Sequence, residues 1–236
     1  MNKKKDVHIL GLTLARGGSK SVPRKNIKTI AGKPLICYTI IEALKSRFIT
    51  RYIVSTDDVE IQEIAINCGA DVPFLRPSKY SSDEASSVSA MQHAVNWVER
   101  EEGIKYDYVV ELMCTNPMKT VEDIDLSIEK LLLTGSDSVI AIHQLEDHHP
   151  ARIKKIVDDK IVDFCISEIP ESRRQDLKPN AYIRSGSIYA LKRDYLMVEG
   201  MRYGSANSRP YILPEERAVN IDTEIDFMIA ELLLKK

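Results

Sequence analysis

No run of about 18 apolar residues, the length a membrane-spanning helix needs, occurs in the 236-residue chain, so no segment is read as crossing a membrane. A basic excess is missing too: 33 Lys and Arg stand against 35 Asp and Glu, for a formal net charge of −2. A general nucleic-acid binder shows a surplus of cations, so nucleic acid is excluded as a partner. Cysteine is scarce. Cys37, Cys68, Cys114 and Cys165 are widely separated, with no Cys-x-x-Cys pair and no Cys/His spacing of a zinc site. All four are expected to be reduced, mostly buried thiols of a cytoplasmic protein. Neither Gly-x-x-x-x-Gly-Lys-Ser/Thr nor Gly-x-Gly-x-x-Gly is present, which disfavours a P-loop hydrolase and a Rossmann dehydrogenase. Internal repeats and low-complexity linkers are also absent.

What remains is the composition of one globular domain, 44% hydrophobic and 29% charged. The opening, basic residues before an apolar stretch, imitates a signal peptide. That stretch is short, lacks a small-residue cleavage site and runs into Arg16, so residues 7–14 are read as a buried first strand. Strand-like and helix-like segments then alternate. Leu35, Tyr38, Ile41 and Leu44 have helical spacing, with Pro34 suited to a first turn. Further strands are read at 51–55, 108–112 and 136–145, and further helices at 59–68, 86–101 and 120–134. Gly69 and Gly135 follow two of these helices as C-caps, and Thr120 opens one as an N-cap.

This alternation predicts an α/β fold: a Rossmann-like, mostly parallel sheet flanked by helices. Ligands of such sheets collect beyond the carboxyl ends of the strands, so the loops after the first three strands should converge on one crevice. After His148 the pattern changes. Residues 151–168 alternate like a hairpin turning at Asp158 and Asp159, within a β-rich excursion at about 148–185. A final helix is expected at 224–233.

The loop after the first strand, "LARGGSKSVPRKN", concentrates four cations around Gly17 and Gly18. Glycines let backbone N–H groups approach an oxyanion, and Arg16, Lys20, Arg24 and Lys25 could neutralise a polyphosphate. The bland alternative is a surface turn with solvated charges. His148 and His149, adjacent on an extended segment, face different ways and are read as structural rather than as paired metal ligands.

The longer stretch "ARGGSKSVPRKNIKTIAGKPL" resembles the nucleotide-binding signature of the acylneuraminate cytidylyltransferases. "IVSTDD", "GADVPFLRPSKYSSDEASS", "RQDL", "SGSIYA" and "NIDTEIDF" resemble that family's other blocks, in its order, over nearly the whole chain. The resemblance implies one nucleotidyltransferase domain with a dimerisation excursion, hence a cytoplasmic homodimer. It also implies CTP and a nonulosonic (sialic-acid-like) acid as substrates, whose anomeric hydroxyl attacks the α-phosphate of CTP, and Mg²⁺ as cofactor. By similarity Arg16, Ser19, Lys20 and Lys25 hold the triphosphate, with Gly17 and Gly18 allowing close approach. Asn26 and Arg76 match positions associated with base and ribose, and Ser87 lies in a matching segment. Arg16, Lys25 and Asp222 are the expected catalytic residues.

Two departures from the family pattern bear on the substrate and the metal. Asp222 is the expected metal ligand, with N-capping of the last helix as its bland alternative; the acidic residue usual two positions earlier is Asn220 here. An amide oxygen can still meet Mg²⁺ or its water, with less charge. Met113 stands where the family commonly has a sugar-contacting glutamine. A thioether in place of an amide predicts a substrate other than plain N-acetylneuraminate, such as a deoxy or differently N-acylated acid. Arg174 and Tyr189 match positions near the acceptor, where Arg174 could pair with the substrate carboxylate. The alternatives are a nucleotidyltransferase for another base or acceptor, CMP-Kdo synthetase-like, or a catalytically weak nucleotide-binding protein.

Overall fold

A computed structural model describes residues 7–19, 21–145, 148–170 and 172–236. The first strand, β1 (Ile9–Ala15), is followed by the cationic loop and a two-strand turn, β2 (Thr29–Ile30) and β3 (Lys33–Pro34). Then come α1 (Leu35–Leu44), β4 (Arg51–Thr56), α2 (Val59–Asn67), α3 (Ser87–Glu102), β5 (Tyr108–Leu112), α4 (Val121–Thr134) and β6 (Ser138–Leu145). The hairpin β7 (Lys154–Val157) and β8 (Lys160–Asp163) precedes β9 (Ala181–Lys192), α5 (Arg193–Met197), β10 (Ser208–Ile212) and α6 (Glu224–Leu234).

The central sheet has the order β10-β6-β9-β5-β1-β4. β4, β1 and β5 are parallel to one another, as are β6 and β10; β9 runs antiparallel between β5 and β6. Strand alternation splits the core into two layers. Ile9, Val54 and Val110 join α1, α2 and α4 on one face, and Leu10, Leu12, Ile53 and Val109 join α3 on the other. Each such aliphatic side chain, taken out of water, contributes about 2 kcal/mol. The helix ends follow the expected chemistry: Thr120 and Asp123 form a reciprocal capping box, and Gly135 ends α4 in the left-handed region.

Several expectations need correction. The helix read from Leu35, Tyr38, Ile41 and Leu44 forms as α1, but its buried side chains include Leu35, Ile36, Cys37, Ile40 and Ala43, whereas Leu44 is exposed. α1 lies between the sheet and the cluster around α6, so apolar residues surround most of its circumference and one stripe does not identify its core face. The stretch "SIYALKRDYL", residues 187–196, has strand character in the sequence; β9 ends at Lys192 and α5 takes over from Arg193. β10 escaped notice because a proline and an arginine interrupt it, which an edge strand tolerates. The sequence "AVNIDTEIDF" suggests a strand ending at Asp222, but residues 218–222 are irregular.

Cys37 and Cys68 are not free thiols: they are joined by a disulfide, with Cα atoms 5.6 Å apart. α1 and α2 pack on the same face of the sheet, which brings these two positions together. Cys114 is a free buried thiol, as expected, and Cys165 is free but exposed.

The hairpin forms where it was expected, with Asp158 and Asp159 at φ 49 and 60 in its two-residue turn. β9 rejoins the sheet at Ala181, opposite Leu145, so the part of the excursion outside the central sheet ends before 185. Among the described residues no helix is long and apolar enough to cross a membrane.

Candidate active site

Because β1, β4 and β5 are parallel, their carboxyl ends open on the same side, and the loops after them meet there. Thr13 donates to Leu112 O at 2.8 Å, Gly17 N–H donates to Asp57 Oδ1 at 3.1 Å, and Arg76 N–H donates to Thr56 O at 2.7 Å. The crevice has two lobes that share Leu14, Arg16 and Met113 as lining residues. One, about 310 Å³, adds Arg76, Tyr80, Ser87 and Glu111. The other, about 440 Å³, adds Ser19, Lys25, Asn26, Cys114, Thr115 and Asp222.

The cationic loop divides its labour. Arg16 reaches Asp83 Oδ1 at 3.0 Å in a half-exposed pair, which an incoming anion can replace. Lys25 Nζ donates to Ile221 O at 2.6 Å and lies 3.3 Å from Asp222 Oδ1. Arg24 is structural rather than anion-binding: at φ 55, it clamps Asp58 and Glu60 at the start of α2. Lys20 lies outside the described residues. Gly17 is required for a reason the sequence did not suggest: a Cβ there would stand 2.6 Å from Asp58 Oδ2. Gly18 faces open space.

Asn26 is buried and its amide is held at both ends. Nδ2 donates to Arg16 O at 3.0 Å, and Oδ1 accepts from the Cys114 thiol, also at 3.0 Å. Arg76 is nearly buried, its Nε donating to Ser81 Oγ and its guanidinium 3.8 Å from Asp57. Burial pulls its pKa down from the usual arginine range, so an anion in this lobe would relieve an under-neutralised cation.

Asp222 is not the N-cap of α6. Thr223 is, in a capping box with Asp226. The Asp222 carboxylate is 69% exposed and points to the crevice beside Lys25, with Oδ2 accepting from Asn220 Nδ2 at 2.6 Å. Asn220 Oδ1 is buried without a hydrogen-bond partner. A Cβ at Gly186, which sits at φ 61, would stand 3.2 Å from that oxygen, so this glycine leaves room for the amide. One exposed carboxylate and one unpartnered amide oxygen fit a cation that takes most of its remaining ligands from substrate phosphates and water. They do not form an all-protein cage: no cluster of three or more His, Cys, Asp or Glu suited to a metal occurs among the described residues.

Met113 sits where the lobes join. Its N–H donates to Ser187 O at 2.9 Å, and its side chain packs against the core cluster that contains Tyr189. Tyr189 itself is buried and lines neither lobe; the Arg202 guanidinium lies 4.2 Å from its ring centroid. Arg174 lines a separate cavity of about 310 Å³ with Gln144, His149 and Lys178. Within one chain it is therefore not brought to Met113. His149 is structural, as expected: its ring bridges Pro179 O at 2.8 Å and Ala151 N.

Sequence reasoning missed Glu111. It is the lone charge in a buried strand, paired with Arg202 at 2.6 Å, and burial pushes its carboxyl above the usual range. The one available signal was a carboxylate inside "YVVEL", which buried strands seldom carry without a partner.

A cationic crevice beyond parallel strands, without a P-loop, suits a polyphosphate held for group transfer. A family model described as cytidylyltransferase matches residues 10–206. The chain belongs to that family. Over 222 residues it is 34% identical to a pseudaminic acid cytidylyltransferase of Campylobacter jejuni, covering 94% of each chain. Over 234 residues it is 31% identical to a CMP-N,N'-diacetyllegionaminic acid synthase of Legionella pneumophila, covering 97% of each. A solved CMP:2-keto-3-deoxy-manno-octonic acid synthetase complexed with CTP superposes with a TM-score of 0.70 over 97% of this chain and 98% of that one. At 20% identity, that likeness speaks for the fold alone.

Proposed function

We propose that this enzyme transfers CMP from CTP to the anomeric hydroxyl of a nonulosonic acid. The hydroxyl oxygen attacks the α-phosphorus and gives up its proton to water, the bond to the bridging oxygen breaks, and pyrophosphate leaves. The observation that carries the reading is the convergence of Arg16, Lys25 and Asp222 on one crevice in which Met113 sits at the join. Arg16 and Lys25 orient and neutralise the triphosphate, and this class of transfer asks for positioning and charge rather than a covalent nucleophile. Asp222, with the Asn220 amide, would hold Mg²⁺, which when bound neutralises charge on the phosphates.

Met113 supports an acid of the pseudaminic or legionaminic kind over N-acetylneuraminate. A thioether offers no hydrogen bond to a hydroxyl, so it does not penalise a sugar that lacks one. Pyrophosphate release from CTP with each of the three acids tests this. Wild-type enzyme should favour the deoxy acids, and Met113→Gln should shift relative kcat/KM toward N-acetylneuraminate by about tenfold. Equal use of all three acids by both forms would overturn the assignment of Met113.

The working form is a homodimer in this reading. The excursion exposes Ile156 at 78%, Ile161 at 77% and Ile169 at 75%, an apolar surface suited to a second copy. A second copy could also bring its own Arg174 to this crevice. Sedimentation should show twice the 26.7 kDa chain mass, and Ile161→Glu should reduce it to the monomer; a monomeric wild type contradicts the proposal. We place the enzyme in the cytoplasm, where CTP is made.

A further inference from the structure

Lys119 ends the loop that carries Met113, Cys114 and Thr115, yet lines neither lobe of the crevice. It is 1% exposed, and among the described residues it has no carboxylate partner. Its Nζ donates to Thr39 Oγ1 and Met113 O, each at 2.8 Å, and to Asn116 O. An ammonium has three N–H bonds, and here they meet three oxygens. One acceptor is on α1 and two are on the loop, so the cation ties the crevice wall to the helix behind it.

The tie continues into the site. Thr115 O accepts the Ile221 N–H at 2.8 Å, and Ile221 O accepts Lys25 Nζ at 2.6 Å, immediately before Asp222. The loop is thus the link between Lys119 and the Lys25–Asp222 pair.

We propose that Lys119 is a positioning residue: its ammonium holds the 113–116 loop in the form that presents the crevice wall and the Ile221–Asp222 segment to the nucleotide, without touching substrate itself. The inference rests on the CTP reading above. Burial pulls Lys119 down to about 7, so its charge changes within the range of an ordinary assay. The groups facing it are Asp123, Cys114 and Glu42. Asp123 on α4 is held ionised by Arg217, and burial keeps the Cys114 thiol neutral; Glu42 on α1 accepts from Val121 N–H and Lys45. Below about 7 the ammonium makes three charge-assisted bonds; above it the neutral amine donates only to the two loop carbonyls and accepts from the Thr39 hydroxyl, so the contacts persist without the charge that strengthens them. Nucleotide affinity should therefore fall as pH rises.

The test compares KM for CTP in wild-type enzyme and Lys119→Arg from about pH 6 to about pH 8.5. The arginine stays charged throughout, and taking the ratio cancels the titration of CTP itself. The wild-type to K119R ratio of KM should rise about fivefold across the range, with kcat nearly unchanged. K119M should show a raised KM without that pH dependence. If either variant fails to fold, the wild-type KM is read against the Lys119 ε-carbon NMR titration, and the two midpoints should coincide. A flat ratio, or midpoints that differ, overturns the proposal. Absence of CTP turnover at every pH would instead sink the functional reading on which it rests.

Discussion

Asp222→Asn should lower kcat for CMP transfer by about a thousandfold while leaving the fold intact. The separation of roles at the start of α6 makes this a clean experiment. Thr223 and Asp226 cap the helix, and Lys25 keeps its bond to Ile221 O whatever residue follows. The Asp222 side chain is exposed and its ion pair with Lys25 is long, so it contributes little to stability. The thermal midpoint should move by no more than ~2 °C. What is lost is, among the described residues, the one carboxylate lining the Lys25 lobe. In the variant, raising Mg²⁺ should recover part of the rate, because weakened ion binding is overcome by mass action. Full activity at low Mg²⁺, measured as pyrophosphate release, would remove Asp222 from the metal site.

The second large effect is expected at Arg16. Arg16→Ala should raise KM for CTP by about fiftyfold, the loss of a charge-assisted contact to phosphate. Arg16 lines both lobes, so its guanidinium can reach an anion in either. Its resting partner, Asp83, is itself half exposed, and no buried charge is stranded when the arginine is removed. Lysine at this position should restore only part of the affinity, since it lacks the planar fork. Steady-state kinetics with varied CTP reads this directly. An unchanged KM would mean that Arg16 serves only to hold Asp83.

Where helix and strand signals were local, the sequence was legible. The capped helix α4, the Asp158–Asp159 hairpin and the convergence of three loops on one crevice all follow from spacing, caps and topology. Long-range chemistry was not legible. Glu111 is tolerated in a buried strand because Arg202, 91 residues away, reaches it. Cys37 and Cys68 become neighbours only when two helices pack, and the absence of a local motif hid their bond. Nothing in the sequence singles out Lys119; its three acceptors come from a helix and a loop that only the fold brings together. The site residues divided in the same way. Arg16, Lys25 and Asp222 lie close to elements with clear boundaries and were placed together, whereas Arg174 belongs to the excursion and lines a cavity of its own.

The central claim is cytidylyl transfer at the α-phosphate in the Arg16–Asp222 crevice. Phosphorus-31 NMR of the enzyme with Mg²⁺, CTP and pseudaminic or legionaminic acid tests it most directly. The account predicts one new phosphodiester signal of a CMP-sugar for each pyrophosphate formed, with UTP, ATP and GTP unreactive by comparison. Release of inorganic phosphate, or equal turnover of another nucleotide, would contradict it.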